Sequence, residues 1–315
     1  MITGASGFVG GAVVKGLIEA GTFCVRAAVR RNIGGGLLCR DFAVVGEINR
    51  YTNWKDALKS VDVVVHCAAR VHVMSVGAAE FFFDEVNFHG TLELARQAAL
   101  SGVSRFIFIS SIKVNGERTD HFSSFSNDSI PAPNDDYARS KLRAELGLRE
   151  LSKETGMEVV IIRPPLVYGP GVGANFLTMM RWLKRRVPLP FGGINNRRSL
   201  VSIDNLVDLI LRSLDHPAAV GKVFLVSDDE DMSTPVLLSR LGGALECPVR
   251  LVSVPTAWLI AGASLLGRRG MSDRLLDSLY VDIEYTKKTL DWTPPYKVQD
   301  SLNETARFFI KQNSR

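Results

Sequence analysis

Residues 1–21 read MITGASGFVGGAVVKGLIEAG, and the spacing of Gly4, Gly7 and Gly10 decides the fold. The pattern G-x-x-G-x-x-G lets a backbone turn tightly and come close to a pyrophosphate, while the helix it opens aims unpaired N–H groups at the anion. From Phe8 to Ala20 the apolar residues recur at helical spacing, and Gly21 is a natural left-handed stop. A β-rich run, FCVRAAV (23–29), follows at the distance that a strand–turn–helix–strand unit requires. Only Met1 and Ile2 precede Thr3, which is short for a central strand, and the expectation is a start codon farther upstream.

The same rhythm continues. FAVV (42–45), DVVVHC (62–67), RFIFIS (105–110) and EVVIIR (158–163) are short apolar runs separated by helix-like stretches near 53–59, 80–101 and 136–154. Val- and Ile-rich strands alternating with helices predict an α/β protein, a Rossmann-like doubly wound parallel sheet buried on both faces. Past Arg163 come the turn-rich PPLVYGPGVGANF, the helical NFLTMMRWLKRR and a further strand, KVFLV. The expected division is a dinucleotide-binding part over 1–165, with returning segments at about 199–227. A smaller carboxyl-terminal substrate-binding cap takes 166–198 and 228–315. Gly34-Gly35-Gly36 marks a flexible loop.

Composition narrows the class. The 315 residues are 46% hydrophobic and 23% charged, which suits a globular chain and not a disordered one. The longest apolar run, AWLIAGASLLG (257–267), is too short for the roughly 20 residues of a membrane span, so no stable membrane insertion is expected. VPTAWLIAGASLLGRRG is expected to pack on the cap as an amphipathic helix, with a membrane surface as the alternative. No signal-like segment precedes the glycine turn, which predicts a cytoplasmic protein. The net charge of +5 is scattered in pairs and triplets (Arg30-Arg31, Lys184-Arg185-Arg186, Arg197-Arg198, Arg268-Arg269) without a basic, aromatic-interleaved stripe. Small phosphorylated ligands account for these clusters, and nucleic acid is not expected. Cys24, Cys39, Cys67 and Cys247 lack C-x-x-C spacing and read as reduced core residues, with no metal site.

Two stretches carry chemistry. In DDYARSKLRAE, Tyr137 and Lys141 are four apart inside a helix whose start is marked by Pro133, Asn134 and Asp135, so they share a face. An ammonium beside a phenol favours the phenolate, and tyrosine can then move a proton to or from a hydroxyl while hydride moves to or from a nicotinamide. Ser110-Ser111 ends the RFIFIS strand at the edge where such sheets bind ligands. Arg30 and Arg31 end the second strand where an acid would bind the ribose of NAD, which favours NADP(H) over NAD(H).

TGASGFVG, DVVVHCAA, VNFHGT, FISSIKVNGE, YARSK, IIRPPLVYGPG and RRSLVSIDNLVDLI together resemble the extended short-chain dehydrogenases/reductases of the nucleotide-sugar epimerase/dehydratase family. The resemblance runs to about residue 212. It implies Ser111, Tyr137 and Lys141 as catalytic triad, and a cofactor held by Gly4, Gly7, Phe8, Val9 and Gly10. Also implied at the cofactor are Arg30, Arg31, Glu47 and Ile48 near the adenine, Ala68, Ala69, Asn87, and Pro164 beside the nicotinamide. For the UDP-sugar substrate it implies Ser111, Lys113, Asn175, Arg198 and Arg274. A homodimer is compatible with the resemblance.

Three reactions compete. A dehydratase of this family usually carries Asp-Glu after the Ser/Thr, where this chain has Ile112 and Lys113, which disfavours dehydration. SSIKVNGE, with Asn115 where epimerases commonly carry Tyr, is similar to reductases of UDP-4-keto-6-deoxy-N-acetylhexosamines, enzymes that serve surface polysaccharides. The sequence therefore favours NAD(P)H-dependent reduction of a C4 keto group. The alternative is a UDP-hexose 4-epimerase (UDP-glucose or UDP-GlcNAc) with bound NAD. A third reading, an NADP-binding redox sensor without catalysis, is disfavoured by the intact triad.

Overall fold

The computed structural model describes residues 1–32, 39–71, 79–120, 123–265 and 275–313. Among the described residues nine strands form: β1 (Ile2–Thr3), β2 (Arg26–Val29), β3 (Asp41–Val44), β4 (Val63–His66), β5 (Arg105–Ile109), β6 (Glu158–Arg163), β7 (Leu166–Tyr168), β8 (Leu200–Ser202) and β9 (Val223–Leu225). Seven make one parallel sheet in the order β3-β2-β1-β4-β5-β6-β9, while β7 and β8 pair separately. The chain moves to opposite sides of β1 after β3, so the order reverses between β1 and β4. That reversal opens a crevice at the carboxyl ends of the strands.

The helices are α1 (Phe8–Ala20), α2 (Ala79–Phe83), α3 (Gly90–Leu100), α4 (Asp136–Thr155), α5 (Ala174–Lys184), α6 (Ile203–Ser213), α7 (Thr234–Ala244), α8 (Thr256–Leu265), α9 (Glu284–Leu290) and α10 (Val298–Asn313). Side-chain alternation along the strands feeds a core on each face of the large sheet. In β5, Ile107 and Ile109 join Val13, Leu17 and Leu206 on one face. Phe106 and Phe108 join Leu94, Ala144 and Leu148 on the other. A third core, with Tyr168, Phe176, Leu238 and Leu302, lies in the carboxyl-terminal part.

The fold class follows the sequence reading, with local differences. The stretch 53–59 forms successive turns and no helix. Trp54 is fully buried there and Ser60 turns left-handed at φ 56°, which stops a run too short to nucleate a helix. The expected helix over 80–101 is interrupted by a π-helical stretch at Asp84–His89. Of the cysteines only Cys39 is buried; Cys24 is exposed, and Cys67 and Cys247 are half-buried, all three lying outside the strands and helices. Exposed residues of α8 depart from the expected packed helix. Gly34-Gly35-Gly36 and Arg268-Arg269 lie outside the described residues.

Helix α1 sits against α6 through Gly16, where an added Cβ would stand 2.5 Å from Val207 Cγ1. Both helices cover the face that carries the glycine turn. Gly16→Ala is expected to cost about 1–3 kcal/mol by overpacking, and Gly16→Ala with Val207→Ala to recover most of it in urea unfolding.

Candidate active site

The glycine turn is built by contact as much as by flexibility. Gly4 takes φ +65°, and a Cβ there would lie 2.8 Å from the Ala68 nitrogen; a Cβ on Gly10 would meet the Gly4 oxygen at 2.2 Å. Gly7, the residue before α1, donates its N–H to the Gly4 carbonyl at 2.8 Å. Helix α1 has no capping side chain and no acid in its first turn, so its amino end is open to an anion. Phe8 and Val9 are half-buried under this turn. The cradle fits a dinucleotide pyrophosphate: the backbone is bare of side chains where an anion would approach, and the helix end carries no competing carboxylate.

Behind the turn, polar groups form a chain. The Ala68 N–H donates to Thr3 Oγ1 at 3.2 Å, and Thr3 lies 2.7 Å from His66 Nδ1. His66 Nε2 lies 3.0 Å from Thr91 Oγ1, which donates to the Asn87 carbonyl at 2.7 Å. Burial pushes His66 down to about 3, so the ring is neutral. Because Thr91 already donates onward, His66 Nε2 must be the donor to it and Nδ1 the acceptor from Thr3. Asn87, fully buried in the π-helical stretch, accepts from the Arg70 N–H at 2.8 Å and donates to the Arg70 carbonyl and to Ser140, both at 3.0 Å. It thus fastens the loop carrying Ala68 and Ala69 to α4.

Helix α4 begins at Asp135, whose Oδ1 accepts from the Ala138 N–H at 2.7 Å, and ends on left-handed Gly156. Tyr137 and Lys141 therefore face the crevice from its first two turns. The Ser111 hydroxyl accepts the Lys113 N–H at 3.3 Å and sits close enough to the Tyr137 phenol to favour its ionised form, and Phe83 meets the phenol ring edge-on at 6.1 Å. Pro164, buried after β6, accepts the Ile112 N–H through its carbonyl at 2.9 Å.

Electrostatically the pair departs from the expectation of an ammonium that eases phenol ionisation. Burial and the Asp135 carboxylate push Tyr137 up to about 12, with the Ser111 hydrogen bond opposing them. Burial pushes Lys141 down to about 7 against the pull of Glu145 and Cys67. Its ammonium stands 4.0 Å over the Phe108 ring. Helical spacing puts both side chains on one face, but the cost of taking charge out of water outweighs their proximity.

Beneath them lies an ion pair that the sequence reading missed. Arg163 Nη2 is 2.5 Å from Glu145 Oε2, with exposures of 4% and 1%. Ser110 donates to Glu145 at 2.5 Å, and Arg163 donates to Asn115 Oδ1 at 2.9 Å. The signal was the acid at position +4 from Lys141 in YARSKLRAE.

A cavity of about 560 Å³ opens beside Tyr137 and Ser111. Lys113, Asn175 and Arg198 line it, as do Glu117 and Trp182, which the sequence did not single out, and Asp135, read there only as the start of the helix. Lys113 is held at 2.5 Å by both Glu117 and Asp135. Arg198 donates to the Asp277 carbonyl at 2.7 Å. Arg274 lies outside the described residues. On the opposite side of the switch point, Arg30 pairs with Glu47 at 3.3 Å on the surface, Arg31 is exposed, and Ile48 is half-buried against Gly90. Among the described residues no cluster of His, Cys, Asp or Glu has metal-binding geometry.

A sequence model described as the NAD dependent epimerase/dehydratase family matches residues 1–227. The chain is 48% identical over 320 residues to a UDP-glucose 4-epimerase of Vibrio cholerae, covering 100% of this chain and 96% of the relative. Among solved structures it is similar to a UDP-glucose 4-epimerase of Thermotoga maritima with UDP-glucose, with TM-score 0.79, 22% identity and coverage of 99% and 98% of the two chains. It is also similar to a UDP-glucuronic acid 4-epimerase of Bacillus cereus in complex with NAD, with TM-score 0.78, 20% identity and coverage of 100% and 99%.

Two outcomes check the buried charges. The unfolded chain keeps a proton on Lys141 up to about 10.5, whereas the folded chain gives it up near 7, so over that interval folding stability falls as pH falls. Lys141→Met is expected to raise the melting temperature at pH 7 by roughly 2–6 °C, the gain shrinking as pH approaches 10.5. Glu145→Gln strands the Arg163 charge and is expected to cost about 3–5 kcal/mol in urea unfolding.

Proposed function

The chain belongs to the NAD dependent epimerase/dehydratase family, and on that premise we propose that it is a UDP-hexose 4-epimerase, acting on UDP-glucose or UDP-GlcNAc with NAD retained in the site. The observation that carries this reading is the 48% identity to a UDP-glucose 4-epimerase along the whole chain. Residues 1–165 with 199–227 would hold the cofactor, and 166–198 with 228–315 the sugar nucleotide.

Gly4, Gly7, Phe8, Val9 and Gly10 would hold the pyrophosphate, Ala68, Ala69 and Asn87 the adjoining ribose region, and Pro164 the nicotinamide side. Bound NAD supplies a reversible hydride acceptor. As the phenolate, Tyr137 would take the proton of the sugar C4 hydroxyl and return it to the same oxygen once the ring has turned. Ser111 holds the reacting oxygen and the phenol by its hydroxyl, and Lys141 steadies the charge that the phenol gains. Asn175 and Arg198 would grip the diphosphate, the planar guanidinium matching phosphate oxygens.

Two observations bear on the reductase reading. Asn115, on which it leans, is 1% exposed and bonded to Arg163, turned away from the cavity. Arg30, half the basis for NADP(H), is paired with Glu47, whose carboxylate would repel a 2′-phosphate. Arg31 is the residue that still favours NADP(H).

Denaturing the purified protein and identifying the released nucleotide by mass spectrometry, then following UDP-glucose and UDP-GlcNAc by NMR, tests the proposal. The expected result is retained NAD and C4 inversion without net cofactor use, lost by about 10²- to 10⁴-fold in Tyr137→Phe. An empty site and steady NADPH consumption by a UDP-4-keto sugar would instead establish the reductase.

A further inference from the structure

Helix α8 stands apart from the packing rules that the rest of the chain obeys. Its sequence, TAWLIAGASL, carries no charge on any face. Yet Trp258 is 76% exposed and Ile260 37% exposed, and Val252 just before the helix is 49% exposed. None of its described side chains joins any of the three cores. Exposed apolar side chains gathered on one short segment mark an interaction site, since each exposed Å² is unfavourable in water.

The surroundings are mostly basic, with Glu246 the nearest acid before Arg250 in the chain. The segment leading into α8 pairs with the segment leaving α5: Leu189 bridges Leu251 and Phe191 bridges Ser253. Leu189 donates its N–H to the Arg250 carbonyl at 2.9 Å, and Gly192 donates to Val252 at 3.0 Å. This pairing gathers Arg181, Lys184, Arg185, Arg186 and Arg250, all exposed, near the start of α8. The chain from Arg250 to Thr256 spans at most about 20 Å. No ion pair holds any of these five cations among the described residues. The sequence contains no acid from Ala174 to Ser199 or from Arg250 to Leu265.

We propose that this surface docks on an anionic lipid bilayer, with Trp258 and Ile260 immersed at the boundary between headgroups and acyl chains and the arginines on lipid phosphates. A helix of 10 residues is about 15 Å long, half the hydrocarbon thickness, and so lies on a bilayer without crossing it. Tryptophan favours that interface, and each cation near an anionic surface adds attraction that salt weakens. A second copy of the chain is a poorer occupant, because two-fold pairing through α8 would bring the same cluster of cations together. Docking would also orient the cavity: Trp182 on its wall stacks on Phe191 at 6.2 Å, and Phe191 bridges Ser253 at the foot of α8. The inference does not rest on the reaction proposed above.

Co-sedimentation of the full chain with vesicles of phosphatidylglycerol and phosphatidylcholine, against phosphatidylcholine alone, tests it. Pelleting is expected with the anionic vesicles, at least tenfold weaker in Trp258→Ser with Ile260→Ser and weakened about fivefold for each arginine lost in Arg185→Gln or Arg186→Gln. Raised salt should release the protein. Circular dichroism and turnover of the variants, whose altered residues lie outside the cavity, should match the parent. No pelleting with either vesicle, or equal pelleting of parent and variants, overturns the proposal. So does a dimer in light scattering that Trp258→Ser dissolves, which would assign α8 to a second copy.

Discussion

The approach of Gly4 to the backbone of Ala68 is the contact on which the rest of the structure depends. No side chain fits between them, so the turn after β1 and the loop after β4 share one wall. That is only feasible where strand order reverses, because elsewhere in a doubly wound sheet a crossing helix separates consecutive strand ends. The two-residue β1 is enough to fix this geometry, since it pairs with β2 on one side and β4 on the other. The helix after the turn, the polar chain through His66, and Asn87 on α4 are all placed relative to that wall.

A second balance runs through the chemistry. Three charged groups, Lys141, Glu145 and Arg163, are each no more than 4% exposed. Glu145 and Arg163 neutralise one another and use their remaining bonds on Ser110 and Asn115, which fixes the ends of β5 and β6 beside the triad. Lys141 has no such direct ion pair among the described residues and rests on an aromatic face. The site thus holds one buried ion pair that is satisfied and one buried charge that is costly. A costly charge poised to change state is a common mark of functional positions, where stability is given up for reactivity.

Much of this was legible in the chain. Short continuous apolar runs set against helical periodicity placed the strands and helices of the large sheet, and Gly4, Gly7, Gly10, Tyr137 and Lys141 declared themselves by spacing and by the punctuation of Gly21 and Asp135. What escaped had a common cause. His66, Glu145 and Arg163 act through partners 18 to 63 positions away, and such pairings are invisible to local patterns. The turn at 53–59 was lost to the burial of Trp54, a tertiary effect. The direction of the Tyr137 and Lys141 shifts followed from desolvation, which spacing does not report. Asn115 shows the converse hazard: a residue used to choose between reactions is buried and bonded to Arg163.

The polar relay from Ala68 through Thr3, His66 and Thr91 to Asn87 sets an order of events in folding. Each hydroxyl in it receives one proton and gives one, so the relay runs in a single direction and closes only when every member is present. Its members lie far apart along the chain: Thr3 and His66 are 63 residues from each other, and His66 and Thr91 a further 25. Contacts of such separation form late because the loop between them must be closed first. The glycine turn, synthesised before β4 and α3, is therefore at first a flexible segment. It becomes a shaped anion cradle only after β4 and α3 have docked.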